Sequence, residues 1–404
     1  MLSPHSPPER TAALDDDHAD DVVYPATIPF VLVHLACLGA IWTGVTAEAV
    51  VLGGALYLLR IFAIGAGYHR YFAHRAYKTS RVVQFLLAFL AQTSAQRGVL
   101  WWAAKHRRHH SHSDIELDVH SPRQHGFVYA HLGWIFRPRH GATDYDAIAD
   151  FARYPELVWL DRHPYLPAGL LGVLAWLIAG WPGLVVGFCW STVLLWHATF
   201  TINSVAHLAG RRRYVTGDDS RNNWFLAILT MGEGWHNNHH AYQCSVRQGF
   251  RWWEYDPTFY ALKALSWFGI VWDLRTPPET VVRGEHRLGR KVVEKVARQL
   301  ASAFSVERIA TQSHETLAQM SAWAELRSRG WAARGHAAAF LAEIHLPHIP
   351  SVEEICGYAE QRLARTASLD EIARRTRQIL LEAVAIRLLN EPETAPNMIL
   401  SHRT

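Results

Sequence analysis

Apolar residues dominate four stretches of this chain, roughly 26 to 44, 48 to 67, 165 to 181 and 183 to 203. Each approaches the length a helix needs to cross a bilayer. They form two pairs, joined by "VTAE" and "WPG", connections too short to hold a soluble domain. Each pair therefore predicts a helical hairpin that returns to the side it left, and the N-terminal tail, "HRRHH" and "GRRR" then share one face. Arg60 and His197 fall inside the spans, where polar residues usually turn to the bundle interior, and are expected to serve packing. Residues 81 to 104, beginning "RVVQFLLAFLAQ", are also apolar but carry Gln84, Gln92, Gln96 and Arg97. That mixture predicts a helix at the interface rather than a fifth span.

Past residue 278 the pattern changes to helical periodicity rich in Ala, Arg and Glu. "SVEEICGYAEQRL" and "SLDEIARRTRQILLEAVAIRLL" each open on Ser and acidic residues and continue with apolar positions three and four apart, the mark of capped amphipathic helices. At the other end, "MLSPHSPPERTAALDDDHADD" places Pro and acidic residues where a signal peptide needs a basic start and an apolar core. The chain reads as an all-α integral membrane protein: a disordered cytoplasmic tail over 1–24, a membrane domain with four transmembrane helices and a cytoplasmic histidine-rich helical cap over 25–278, and a soluble helical extension over 279–404.

Composition sharpens this reading. Half the residues are apolar and 17 are Trp, while the mean hydropathy is near zero, which fits a molecule part in lipid and part in water. A net charge of +4 is too small and too dispersed to suggest nucleic acid. Cys37, Cys189, Cys244 and Cys356 stand far apart with no C-x-x-C pair, against a disulfide framework, a thiolate zinc site or an iron–sulfur cluster. The 25 histidines call for metal or proton chemistry.

Their spacing carries most of the meaning. "HRRHH" (His106, His109, His110) and "HNNHH" (His236, His239, His240) put histidines at i, i+3 and i+4, so each box can aim three imidazoles from one helix face. "HRYFAH" separates His69 and His74 by five, about 140° on a regular helix, and both reach one centre only where the helix ends or bends. Eight imidazoles exceed what one metal uses, so two metals follow. A soluble di-iron bundle would offer two E-x-x-H pairs, whereas near these boxes only "EGWH" (Glu233, His236) has that spacing. Asp114, Glu116, Asp118 and Glu233 are better placed to orient imidazole N–H groups.

The set "HRYFAH", "KHRRHH" and "GEGWHNNHH", with the long stretch from "NSVAHLAGRRRYVTGDDSRNNW" to "RWWEYDPT", resembles the membrane fatty acyl desaturase family, in particular its acyl-CoA delta-9 (stearoyl-CoA type) branch in bacteria. The resemblance covers about residues 25 to 278. It implies two iron ions and O₂ as co-substrate. It also implies a ninth ligand, His207 of "NSVAH", and Asn203 reaching the metal through water; spacing alone singles out neither. His112, His120, His131 and His140 are assigned to packing or to support of the ligands.

A saturated C–H has no acid–base handle, so its removal needs an oxidant, which agrees with iron and O₂. The resemblance implies a bent tunnel lined by Gln96, Trp102 and Thr199, with Phe200 where animal members carry Trp. Arg137 and Arg139 of "GWIFRPRHG" match a stretch that binds the coenzyme A head group, and their other reading is ordinary positive-inside residues. The expected reaction is desaturation of a saturated long-chain fatty acyl-CoA to a cis, delta-9 product. Without an "HPGG" haem box or a rubredoxin-like cysteine set, electrons must come from a separate protein of ferredoxin, rubredoxin or cytochrome b5 type. The extension stays open between docking that donor and packing or oligomerisation. The expected location is the cell (inner) membrane, with active site and both termini cytoplasmic. Rival readings are an acyl-lipid desaturase acting on phospholipid chains, a related membrane di-iron hydroxylase, and a metal transporter. The last would place its ligands inside the spans, whereas these boxes sit at span ends.

Overall fold

The computed structural model describes residues 27–328, 344 and 346–390. The expected disordered tail over 1–24 lies outside the described residues. The chain divides into two compact units, Met1–Val282 and Arg283–Thr404.

The first unit is helical. Among its described residues the strands are two-residue pieces, Lys78–Thr79 paired antiparallel with Val271–Trp272. Thr46 starts the Ala47–Ala63 helix by accepting from Ala49 N, the usual role of an N-cap hydroxyl. That helix runs directly into Ile64–Ala73. The next long apolar run breaks at Ala179 and Gly180 (φ 61°), followed by Pro182. Leu166–Pro182 then packs back on Gly183–Trp190 so closely that a Cβ at Gly183 would meet Ala175 O at 2.2 Å. The chain thus reverses at Ala179–Gly180, just ahead of "WPG", whose residues begin the returning helix, where the short connection predicts a hairpin.

Among the described residues two helical runs, Ala47–Ala73 and Leu166–His207, are long and apolar enough to cross a membrane. Thr27–Thr43 and Arg81–Gln92 are apolar but shorter. Their outer faces expose large apolar side chains, among them Ile41, Trp42, Val51, Leu177 and Ile178, a surface suited to hydrocarbon rather than water. Arg60, fully buried, donates to Leu56 O (3.0 Å), Thr192 Oγ1 (2.7 Å) and Ser191 Oγ (2.5 Å), so it knits two helices together.

Residues 81 to 104 depart from the single interfacial helix predicted. They form Arg81–Gln92 and the start of Val99–His112, separated by a turn in which Ala95 and Arg97 take positive φ. The break has local causes. Gln92 Oε1 accepts from Val99 N at 3.0 Å, and Asp161 Oδ1 accepts from Leu100 N (2.9 Å) and Trp101 N (3.0 Å), so a buried carboxylate caps the new helix from outside its own sequence. Only glycine fits at 98, where a Cβ would sit 2.0 Å from Asp161 Oδ1.

The second unit packs Arg290–Ala301, Val352–Glu360 and Leu369–Asn390 around Ala301, Ile355, Ala373 and Leu380. Val306–Ser328 joins through Ile309 and Ala310 against Val384. Ser351 and Glu354 form a reciprocal capping box, as "SVEE" predicts.

Candidate metal centre

Three helices and one turn bring nine histidines together in two sets whose ring nitrogens lie within 4.8 Å of one another: His69, His74, His106, His110 and His239 in one, and His109, His207, His236 and His240 in the other. The helix carrying "HRYFAH" neither runs regularly nor bends. It widens to π-type turns over Ile64–Ala73 and closes with His74 N donating to His69 O at 3.1 Å. Five residues then make about one turn, and both rings reach the same set. Gly65 admits the partner side chain: a Cβ there would come 2.8 Å from Glu233 Oε1.

Each H-x-x-H-H box divides between the two sets, where one shared spot per box was expected. His106 and His110 enter the five-histidine set and His109 the other; His236 and His240 enter the four-histidine set and His239 the first. The cause is helical geometry. Residues i and i+4 lie about 40° apart around the axis, whereas i+3 lies about 60° to the other side of i. His207, in the short Val205–His207 turn after Ser191–Asn203, completes the second set.

Buried carboxylates fix the rings. Glu233 Oε2 accepts from His69 Nδ1, Asp118 Oδ1 from His109 Nδ1 at 2.9 Å, Asp114 Oδ2 from His207 Nδ1 at 2.8 Å, and Asp218 Oδ2 from His240 Nδ1 at 2.8 Å. A proton committed at Nδ1 leaves Nε2 as a bare lone pair aimed inward. Three of these carboxylates are among the four predicted. The fourth, Glu116, is exposed, and its place is taken by Asp218, which no box spacing marks.

The electrostatics fit metal ligation. Burial first, then neighbouring imidazoles, hold His74, His106, His110, His236 and His239 well below the usual histidine range, so these rings are neutral. Burial alone would raise Glu233, yet His69 and Arg70 bring it down to about 2. Burial is likewise outweighed at Asp118 by His109 and at Asp218 by His240, and both carboxyls lie below their ordinary range.

The ring nitrogens cannot satisfy one another. In the first set, Nε2 atoms follow one another at 3.0 Å (His69 to His239) and 2.9 Å (His239 to His110, His110 to His106, His106 to His74). One ring nitrogen is a donor or an acceptor, never both, so this run is not a hydrogen-bond chain. Nitrogens about 2.1 Å from one metal lie about 3.0 Å apart along the edges of an octahedron. In the second set, His109 Nε2 and His240 Nε2 are buried without partners, a state that calls for a ligand. The residues present fit two metal ions.

A cavity of about 360 Å³ opens beside the first set, and His106 belongs to its wall. Gln96, Trp102, Thr199, Phe200 and Asn203 line it too. Gln96 Nε2 donates to Thr199 Oγ1 at 3.2 Å, and the Trp102 ring stacks on His106 at 4.9 Å. Arg137 and Arg139 are not among the lining residues, although their neighbours Ile135 and Phe136 are. The Arg137 guanidinium lies 5.9 Å from the Tyr129 ring, and Arg139 Nη2 donates to Tyr129 Oη at 2.9 Å. The cations in the wall are instead Arg97 and Lys105; Lys105 directly precedes a ligand candidate, the one sequence signal that could have found it. His112 bonds only its own helix, at Arg108 O, and His131 joins His197 and Ser204. His140 meets Tyr129 Oη at 3.4 Å, and His120 lines the cavity.

Comparison with known proteins places this geometry. The family profile described as "Fatty acid desaturase" matches residues 46–269. The chain is 37% identical over 254 residues to an acyl-CoA 5-desaturase of Anemone leveillei, covering 61% of this chain and 77% of that one. It is 37% identical over 234 residues to an sn-2 palmitoyl-lipid 9-desaturase of Nostoc, covering 56% and 82%. With an sn-1 stearoyl-lipid 9-desaturase of Synechocystis it shares 34% over 285 residues, 67% and 87% of the two chains.

Proposed function

The chain belongs to the fatty acid desaturase family of oxidoreductases, and from that premise we propose that it inserts a cis double bond, at delta-9, into a saturated long-chain fatty acyl-CoA. The observation that carries this reading is that His106 is at once a member of the five-histidine set and part of the wall of an apolar cavity. A chain lying in that cavity would be held against the metal ligands themselves.

Two irons are the proposed occupants, His69, His74, His106, His110 and His239 holding one and His109, His207, His236 and His240 the other, with Asn203 acting through water. Bound there, they supply the O₂-dependent oxidation that an unactivated C–H requires. The remaining work belongs to the protein. Gln96 and Thr199, joined to each other, and the Trp102 ring confine one stretch of the chain beside His106, which converts a floppy substrate into a near-attack geometry. Apolar walls exclude water. Lys105 and Arg97 in the wall, with Arg137 and Arg139 outside it, suit the phosphates of a coenzyme A head group. Electrons come from a separate donor of ferredoxin, rubredoxin or cytochrome b5 type. Four transmembrane helices, with the histidine sets and both termini on the cytoplasmic side of the inner membrane, follow from the two hairpins, and the domain limits 25–278 and 279–404 from the change in patterning.

A second reading, action on chains already esterified in membrane lipid, is favoured by the Nostoc and Synechocystis relatives, whose names specify acyl-lipid substrates. One experiment addresses both. The wild type and His106→Ala are expressed in a host without other desaturases, deuterated palmitate and stearate are fed, and the fatty acids are read by gas chromatography with mass spectrometry. A labelled cis-9 monoene from the wild type alone is expected. Its first appearance in the acyl-CoA pool supports the first reading, its first appearance in phospholipid the second, and hydroxylated chains would refute both.

A further inference from the structure

The two arginines of "HRRHH" belong to neither histidine set, and they differ. Arg108 is exposed, whereas the Arg107 side chain is mostly covered, at 23% exposure. Arg107 Nε donates to Ala73 O at 2.9 Å, and Nη2 donates to Phe72 O at 2.8 Å and to Asp150 Oδ2 at 3.0 Å. Nη1 donates to Ala147 O at 3.0 Å and to Asp150 Oδ1 at 2.8 Å. A guanidinium has five N–H groups, and here each has an acceptor of its own. The planar fork ties three pieces of chain together: its own helix, the end of Ile64–Ala73 and the Ala147–Asp150 segment.

The grip falls beside a ligand candidate. Where Ile64–Ala73 ends, the following amides turn back, His74 N to His69 O, Arg75 N to Tyr71 O and Ala76 N to Arg70 O. Arg107 takes the next two carbonyls, at a helix end where a cation is favoured. His74 follows directly, and its Nε2 lies 2.9 Å from Nε2 of His106, the residue before Arg107. Carboxylates hold the rings of His69, His109, His207 and His240; among the described residues none bonds the ring of His74. Its place depends on the backbone that carries it, and Arg107 holds that backbone. The far side of the fork is itself braced, since Asp150 also pairs with Arg75, and Phe151 packs on Phe72 with ring centroids 5.0 Å apart.

Resting on the metal-centre reading, we propose that Arg107 is a positioning residue for the five-histidine set: by clamping the carbonyls of Phe72 and Ala73 it fixes His74 against His106, and so sets the spacing between the first two histidine boxes. The Ala147–Asp150 segment, which supplies no ligand, thereby belongs to the metal centre.

The test follows iron release from purified full-length protein against increasing chelator, with Mössbauer spectra of the iron-loaded samples. Arg107→Met should release one iron at a chelator concentration about 10- to 100-fold below that for wild type, and its spectrum should change at one iron site only. Arg107→Lys keeps the charge but replaces the fork by a compact ammonium with three donors, and should recover little. Asp150→Asn leaves both carbonyls in the grip of Arg107 and should shift release by less. The decisive comparison is the double variant: once His74→Ala has removed the ring, Arg107→Met should cost nothing further. A staple that serves the fold alone would add its cost to that of His74→Ala or release both irons together, and either result overturns the proposal. So does wild-type release in Arg107→Met. Where Arg107→Met yields no folded protein, Arg107→Lys carries the same comparison. If the wild type binds two irons and makes the monoene while the variants release iron as it does, only the positioning role has failed; a wild type that takes up no iron removes the metal-centre reading as well.

Discussion

Replacing Asp218 by Asn probes the claim that the carboxylates decide where the imidazole protons sit. Asp218 Oδ1 accepts from Thr216 Oγ1 (2.7 Å), Ser220 Oγ (2.6 Å) and Ser220 N (3.1 Å), while Oδ2 faces His240 Nδ1 at 2.8 Å. In Asp218→Asn those three donors keep the amide oxygen on their side, so the NH₂ group turns to His240 Nδ1. Donor then meets donor. The ring answers by moving its proton to Nε2, the atom that otherwise faces His236 and His207 as a lone pair. The four-histidine set loses a ligand without losing a residue. Changes to groups that orient a metal-bound histidine cost about 10- to 100-fold in affinity, or about 1.4–2.7 kcal/mol. The assay is iron per chain in purified protein against increasing chelator. The variant should release one iron at a chelator concentration about 10- to 100-fold below that for wild type, while the five-histidine set, none of whose rings bonds Asp218, keeps its iron. Glu116→Gln, at an exposed carboxylate, is the control. Release of both irons at the wild-type concentration would refute the assignment of proton positions.

Other expectations concern the fold and its pH range. Gly98→Ala drives a Cβ into Asp161 and disturbs the cap on Leu100 N and Trp101 N; a loss of about 2–4 kcal/mol is expected, read as a shortened half-life on heating, and an unchanged half-life argues against the cap. His112→Ala, within the same histidine-dense run but bonded only to its own helix, should leave iron content unchanged and stability within about 0.5 kcal/mol. In metal-stripped protein, histidines whose folded values are depressed take up protons only on unfolding, so stability is full above the ordinary histidine value near 6.5 and falls as pH drops below it. The slope is up to about 1.4 kcal/mol per pH unit for each such ring. The depressed carboxylates act in the same direction below about pH 4. Circular dichroism of the chelated protein between pH 8 and pH 4 reads this, and a flat profile contradicts neutral buried rings.

What could be read in advance followed local periodicity. Helical content, the reversal beside "WPG" and the Ser351 cap are encoded within a few neighbouring residues. The histidine boxes are legible for the same reason, since i, i+3 and i+4 is a local relation. Their division into sets of five and four is not, because it depends on how the Val99–His112 and His236–Ala241 helices face each other. Asp218 and Asp161 act on rings and amides far away in sequence, so no spacing announces them. The break at residues 93–98 was missed because its cause, Asp161, lies more than sixty positions downstream. Thr199 and Asn203 share one helix face, but Gln96 meets them only through tertiary packing, and only the family resemblance singled the three out.

The charge balance of the site links these observations. Every group in the two sets is an imidazole, a ligand without charge of its own when it binds metal, and the negative charge sits one step away on Glu233, Asp118 and Asp114, which are buried, and on Asp218, whose side chain is 7% exposed. Direct carboxylate ligation would lower the charge at the metals. Holding the carboxylates behind the rings would keep bound metals strongly electrophilic while confining four negative charges within bonding distance of the ligand candidates. Two divalent cations would offset those four charges. Without metal, only Glu233 shares Arg70, which it meets at 2.9 Å together with Asp256, and the other three are left to imidazole, hydroxyl and amide donors. Isolated buried charge is costly, so metal binding at these sets should couple to folding of the elements that carry them. The cavity wall at His106 inherits its position from that process, since His106 is itself one of the five-histidine set. A cap that fails to load iron should therefore lose its hold on the acyl chain as well as its oxidant.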